Sequence, residues 1–123
     1  MIKGQEFKRL VFVADYGEFQ AEEARARGYL SHVLVETANG DLFPVTFYDP
    51  VRLQQDIAER IKLGHPYVAD VGLIVVSEIT QATLEEACLA ACRDGFFAYS
   101  ISVDSADVAS ASPFDWPPPR RES

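Results

Sequence analysis

Apolar residues along this chain fall into short unbroken runs and into helical spacing, which together predict an α+β domain. Residues 8–14 contain the run Leu-Val-Phe-Val, typical of a strand buried on both faces. Residues 72–76 are the most apolar run and predict a strand at the centre of the sheet. Residues 96–103 alternate apolar and polar positions and predict a last strand. Residues 18–28 are polar and alanine-rich, which favours a short exposed helix or a loop.

A β-hairpin is predicted where residues 30–37 and 42–48 flank Asn39-Gly40. A type I′ turn at this dipeptide would pair residue 36 with 43 and residue 34 with 45. Pro44 then marks an outer edge or a bulge. Both faces of this hairpin would be apolar: one holds Leu34, Phe43, Val45 and Phe47, and the other holds Val33, Val35, Leu42 and Tyr48.

Two amphipathic helices follow the hairpin. Asp49 is placed to cap the first, with Pro50 at its first position. Thr80 is placed to cap the second, and Gly95 is a natural end for it. Their apolar positions are Leu53, Ile57 and Ile61 in the first helix, and Leu84, Ala87, Cys88 and Ala91 in the second.

This order of elements predicts a two-layer sandwich. Its mixed sheet would contain about five strands, in the order β-β-β-α-β-α-β, with the two main helices on one face. Residues 1–103 would form a single α+β domain. Residues 104–123 are rich in Ser and Pro, include Trp116, and are expected to form a C-terminal tail.

Composition and charge narrow the range of functions that the chain could have. The 123 residues include 11 basic and 19 acidic side chains, a net charge of −8, which disfavours binding to nucleic acids and anionic membranes. The charge is spread, with −6 on residues 1–103 and −2 on the tail, as on an ordinary solvated surface. The N-terminus lacks the pattern of a secretory signal, no run could span a bilayer, and Cys88 and Cys92 are expected to be buried thiols, so we expect a cytoplasmic location.

Catalytic motifs are absent from the sequence. There is no glycine-rich phosphate loop, nucleophile elbow or histidine metal motif, so neither a cofactor nor a metal is predicted. His32 and His65 are expected to be ordinary surface or turn residues. If the chain is a small enzyme or a small-molecule binder, its pocket is expected at the strand ends, with Asp15, Tyr16 and Glu78 as the weak catalytic candidates beside Ser77.

We therefore favour a non-catalytic protein-binding or accessory module over that alternative. The partner would be another protein or a second copy of the chain, because two helices on one face leave the other hairpin face uncovered. The predicted contacts are Val33, Val35, Leu42 and Tyr48, with Asp49 and Arg52 as a polar binding pair that would otherwise be a cap and a first-turn ion pair. In size, acidity and fold class the chain is similar to small proteins that neutralise a toxin, but no sequence motif supports this similarity.

Overall fold

A computed structural model of the chain describes residues 6–12, 17–98 and 100–103. Within them, seven elements follow one another along the chain. They are β1 (Phe7–Phe12), α1 (Glu18–Arg27), β2 (Tyr29–Thr37), β3 (Leu42–Tyr48), α2 (Pro50–Lys62), β4 (Leu73–Val75) and α3 (Gln81–Arg93). None of these helices is both long enough and apolar enough to cross a membrane.

The strands form one mixed sheet in the order β1-β2-β3-β4. The pairs β1–β2 and β2–β3 are antiparallel, whereas β3 and β4 are parallel and are joined by α2. The predicted α+β class and mixed sheet are confirmed. The described sheet has four strands, however, not five, and it is accompanied by three helices because residues 18–27 do form one.

The predicted fifth strand does not form in its described residues, 96–98 and 100–103, where local turns replace extended pairing. The amide of Ala98 donates to the carbonyl of Gly95, and that of Ser100 donates to Phe97, so the backbone is coiled. Phe97 is buried and stacks on Phe43 with 4.9 Å between ring centroids. The segment makes one isolated bridge, between Val103 and Leu42. A buried aromatic anchor outweighs the alternation that predicted a strand.

The hairpin forms, but its register is one residue away from the prediction. Gly40 has φ +89°, the amide of Gly40 donates to Thr37, and the amide of Thr37 donates to Asp41. The connection is therefore a three-residue loop ending in a left-handed glycine, not a type I′ turn. Val35 pairs with Phe43, and Val33 with Val45. A one-residue shift moves side chains to the other face, so these four share one face.

That shared face carries the hydrophobic core. Leu10 and Phe12 of β1 pair with Val35 and Val33 and join them in it. Ala24 of α1 covers this face, and α3 contributes more of the core than any other helix. The helical residues of the core are Ala24, Leu84, Cys88 and Cys92. The prediction placed the two main helices on one face, but α2 contributes no residue to this core.

The most apolar strand, β4, lies at an edge of the described sheet and not at its centre, so that prediction was wrong. Its pairing with β3 begins at Thr46 and Leu73, just beyond Pro44. Pro44 therefore lies in an inner strand, at a position before the ladder with β4 starts. Gly72 has φ +61°, and a Cβ there would lie 2.2 Å from the Pro44 carbonyl oxygen, so only glycine allows the two strands to approach.

Candidate functional site

The hairpin residues predicted to contact a partner are largely inside the protein. Val33 and Val35 are 1% and 0% exposed and belong to the core, so they offer no surface. Leu42 is half-buried beside Val103. The register shift explains the difference, because it places both valines on the face that α1 and α3 cover.

Tyr48, Asp49 and Arg52 do come together, at the junction between β3 and α2. The Asp49 carboxylate accepts a hydrogen bond of 2.8 Å from the Arg52 amide, which is the predicted helix cap. The Tyr48 hydroxyl donates to the Asp70 carboxylate at 3.0 Å. We name Tyr29, Tyr48, Asp49, Arg52, Asp56 and Asp70 the junction cluster.

Arg52 is the hub of the junction cluster. Its guanidinium pairs with Asp56 at 2.8 Å, donates to the Arg27 carbonyl at 3.3 Å and lies 5.3 Å from the centre of the Tyr29 ring. Tyr29 and Tyr48 meet edge to face, with centroids 4.9 Å apart. These contacts attach the start of α2 to the end of α1 and to two strands.

The polar groups of the junction cluster form hydrogen bonds and ion pairs with one another and with the rest of the protein. Burial, reinforced by the hydrogen bond to Asp70, raises the pKa of the Tyr48 hydroxyl above its usual value. A phenol that stays protonated at neutral pH does not supply the phenolate needed for a general base. The cluster is therefore suited to joining elements, and its described contacts give no reason to assign it a reaction.

The strand-end candidates are not brought together by the described residues. Asp15 and Tyr16 lie outside them, and Ser77 and Glu78 are exposed between β4 and α3. Among the described residues, no group of three or more histidine, cysteine, aspartate or glutamate side chains could hold a metal ion.

His32 and His65 are both exposed. His32 has φ +60° at the point where the pairing of β2 with β3 shifts, and its ring nitrogen lies 2.9 Å from the Ser31 hydroxyl. A left-handed non-glycine residue in a bulge turns its side chain away from the ladder. This geometry explains the exposure of the ring without a ligand.

The two cysteines are free and buried, as predicted. Burial, and then the neighbouring Cys92, raise the pKa of the Cys88 thiol to about 12. Burial also raises the pKa of Cys92. Thiols that stay protonated at neutral pH are poor nucleophiles, so their role is packing.

Exposed apolar side chains concentrate elsewhere, in the connection that carries the chain from β3 through α2 to β4. Of the ten large apolar side chains that are exposed in the described residues, five belong to this connection and a sixth belongs to β4, to which it leads. Scattered single residues of this kind are ordinary, and their concentration in one segment of the chain makes that segment the candidate interaction site. We name these six side chains the crossover surface: Val51, Ile61, Leu63, Tyr67, Val71 and Val75.

The orientation of α2 explains this exposure. Its half-buried positions include Arg52, Asp56 and Arg60, which follow one another at intervals of four residues. The helix thus turns a partly polar stripe towards the protein, held by Arg52. Val51 and Ile61 fall outside that stripe and remain 64% and 59% exposed.

Sequence reasoning missed the exposure of Ile61, because its spacing with Leu53 and Ile57 predicted a buried helix face, and of Val75, because residues 72–76 were predicted at the centre of the sheet. It also missed Asp70 as the partner of Tyr48, since 22 residues separate them and no local pattern joins them.

No family model matches the chain, and searches of the curated proteins and of the solved structures found no significant similarity.

Proposed function

We propose that this protein is a non-catalytic protein-binding module and that it binds through the crossover surface. The observation that carries the proposal is the concentration of exposed apolar side chains on one connection of a domain whose core is complete without them. Covering such side chains contributes roughly 25 cal/mol for each Å² of apolar area removed from water. A protein partner can cover several of them at once.

Charge supports an apolar mode of recognition. The stretch of residues 49–76 carries four acidic and three basic side chains, a net charge of −1, although the whole chain carries −8. Partner binding at this surface should therefore depend only weakly on salt. A strongly basic partner, as expected for a toxin-neutralising role, would instead give binding that weakens as salt is added.

The location we propose is the cytoplasm, where thiols stay reduced, since Cys88 and Cys92 are unpaired. The alternative of a small enzyme at the strand ends is not proposed. Glu78, its one candidate catalytic residue within the described part, is exposed and has no described contact to orient it.

The test is an affinity capture from a lysate of the source organism with wild-type protein and two variants. Ile61→Asp places a charge in the crossover surface, while Leu89→Asp places the same charge on α3, where Leu89 is comparably exposed. We expect wild type and Leu89→Asp to capture the same partner, either another protein or further copies of this chain. Ile61→Asp should capture at least tenfold less of it.

Circular dichroism and thermal melting should show that all three proteins are equally folded. The proposal fails if Ile61→Asp and Leu89→Asp retain the same proteins in the same amounts. It also fails if every retained protein is released by moderate salt, because the contact would then be electrostatic.

A further inference from the structure

The two edges of the described sheet differ in how they are protected. β1 presents Lys8 and Arg9, both paired with Glu36, and its register with β2 shifts between Phe7 and Arg9. Charged side chains and bulges are common devices that prevent an edge strand from pairing with another chain. β4 has the sequence Leu-Ile-Val; at three residues it is short, but it carries no charged side chain, proline or bulge.

The backbone of β4 leaves hydrogen-bonding groups for another strand. The Thr46 amide donates to Gly72 and the Val76 amide donates to Tyr48, so residues 72, 74 and 76 face β3. Alternate residues of a strand point their N–H and C=O groups to opposite sides, so those of Leu73 and Val75 point away from β3. No other described strand pairs with β4.

We propose that β4 pairs antiparallel with β4 of a second copy of this chain. The inference rests on the proposed function and names its partner. With a two-fold axis at Ile74, Leu73 of each copy lies opposite Val75 of the other, and each such pair exchanges two hydrogen bonds. The sheets of the two copies become one, and the most apolar strand of the chain takes the inner position that its sequence predicts.

Side chains beside this edge suit a second copy. Residues 61–77 carry one formal positive charge, on Lys62, and one negative charge, on Asp70, so two acidic chains approach here without strong repulsion. Asp70 is already bonded to Tyr48. Val75 is 47% exposed and would be partly covered in both copies.

The experiment is sedimentation velocity over a range of concentrations, with backbone hydrogen exchange on the same samples. We expect a dimer whose formation protects the amides of Leu73 and Val75, which no bond within the described chain protects. Val75→Pro removes an outward N–H that the intrachain ladder does not use, so β4 should still pair with β3. We expect it to raise the dimer dissociation constant at least tenfold.

Val75→Asp provides a second variant if Val75→Pro does not fold, because it sets two like charges on either side of the proposed axis and leaves the backbone intact. Leu89→Asp is the matched control and should dimerise like wild type. A strict monomer at every concentration overturns the inference. Amide protection that does not change with concentration also overturns it, because a segment of the same chain would then cover β4.

Failure of the dimer and failure of the proposed function are distinguishable. If the chain is monomeric but Ile61→Asp loses a captured protein, the crossover surface binds a different partner. If the chain dimerises and both Val75→Pro and Val75→Asp leave the dimer unchanged, the contact lies elsewhere and the inference is wrong.

Discussion

The helices α2 and α3 have the same length and the same apolar spacing, but opposite environments. Each has 13 residues and a side-chain cap, Asp49 in one and Thr80 in the other. Apolar residues lie at intervals of four in both, Leu53, Ile57 and Ile61 in α2 and Leu84, Cys88 and Cys92 in α3. All three are buried in α3, and none is fully buried in α2.

The difference shows that a period of four specifies a helix without specifying its burial. α2 has the larger side chains at these positions, so hydrophobicity alone ranks it as the more deeply buried helix. α3 instead lies against the core face of the sheet, where its small cysteines fit closely. α2 is attached by Arg52 and its aromatic neighbour; Leu53 and Ile57 are half-buried, and Val51 and Ile61 remain exposed for a partner.

The largest expected effect is the loss of core packing in α3. Leu84 is 0% exposed, and Leu84→Ala should lower the free energy of unfolding by about 3 kcal/mol, through lost transfer energy and a cavity. Ile61 is 59% exposed, and Ile61→Ala should change it by less than about 0.5 kcal/mol. Urea denaturation at a concentration where the chain is monomeric measures both values.

Equal losses in the free energy of unfolding for Leu84→Ala and Ile61→Ala would contradict the comparison between α2 and α3. They would show that α2 is buried in the folded monomer, and the crossover surface would then lose its main support. Leu89→Ala on α3 is the matched control, since Leu89 is 56% exposed and should behave like Ile61.

The second largest effect is a fall in the free energy of unfolding at alkaline pH, caused by Cys88 of α3. The folded pKa of Cys88 is raised from 9.0 to about 12, so the unfolded chain loses this proton first. Its contribution to stability is complete below pH 9 and declines by about 1.4 kcal/mol for each pH unit above it, until the folded pKa is reached.

Unfolding of wild type and Cys88→Ala, measured between neutral pH and pH 11, isolates this contribution. Cys88→Ala should be less stable than wild type at neutral pH, but its free energy of unfolding should decline less steeply as the pH rises. Tyr48 and Cys92 also have raised pKa values, so some slope remains in both proteins. Parallel curves for the two proteins would show that Cys88 ionises as easily in the folded chain as in the unfolded one.

Local features of the sequence were sufficient for much of the fold. The caps Asp49 and Thr80, the two long helices and the presence of a hairpin depend on contacts within a few residues, and these were predicted correctly. Of the two errors in the sheet, the first was a local choice of loop, and the second depended on a contact between distant residues. The three-residue loop at Gly40 moved the hairpin register, and the burial of Phe97 removed a strand.

The candidate site was harder to predict than the fold. Tyr48, Asp49 and Arg52 were chosen as neighbours in sequence, but their partners Tyr29 and Asp70 are distant. The exposure of α2 was unpredictable because it depends on which side of the helix meets the sheet. That orientation is set by Arg52 on Tyr29, a contact between residues 23 positions apart.

The smallest effect tests how each helix is attached. Arg52→Ala removes a cation–π contact worth about 0.5–1 kcal/mol and an ion pair worth about 0.3–0.5 kcal/mol, so the total loss should be about 1 kcal/mol. Arg93 of α3 pairs only with its neighbour Asp94 in the described contacts, with both side chains about 70% exposed, and Arg93→Ala should cost less than about 0.3 kcal/mol. Arg52→Lys keeps the charge but not the planar stacking group, and should fall between wild type and Arg52→Ala in urea denaturation. If Arg52→Ala is no more costly than Arg93→Ala, α2 is held by its apolar residues after all, and the opposite environments of the two helices need another explanation.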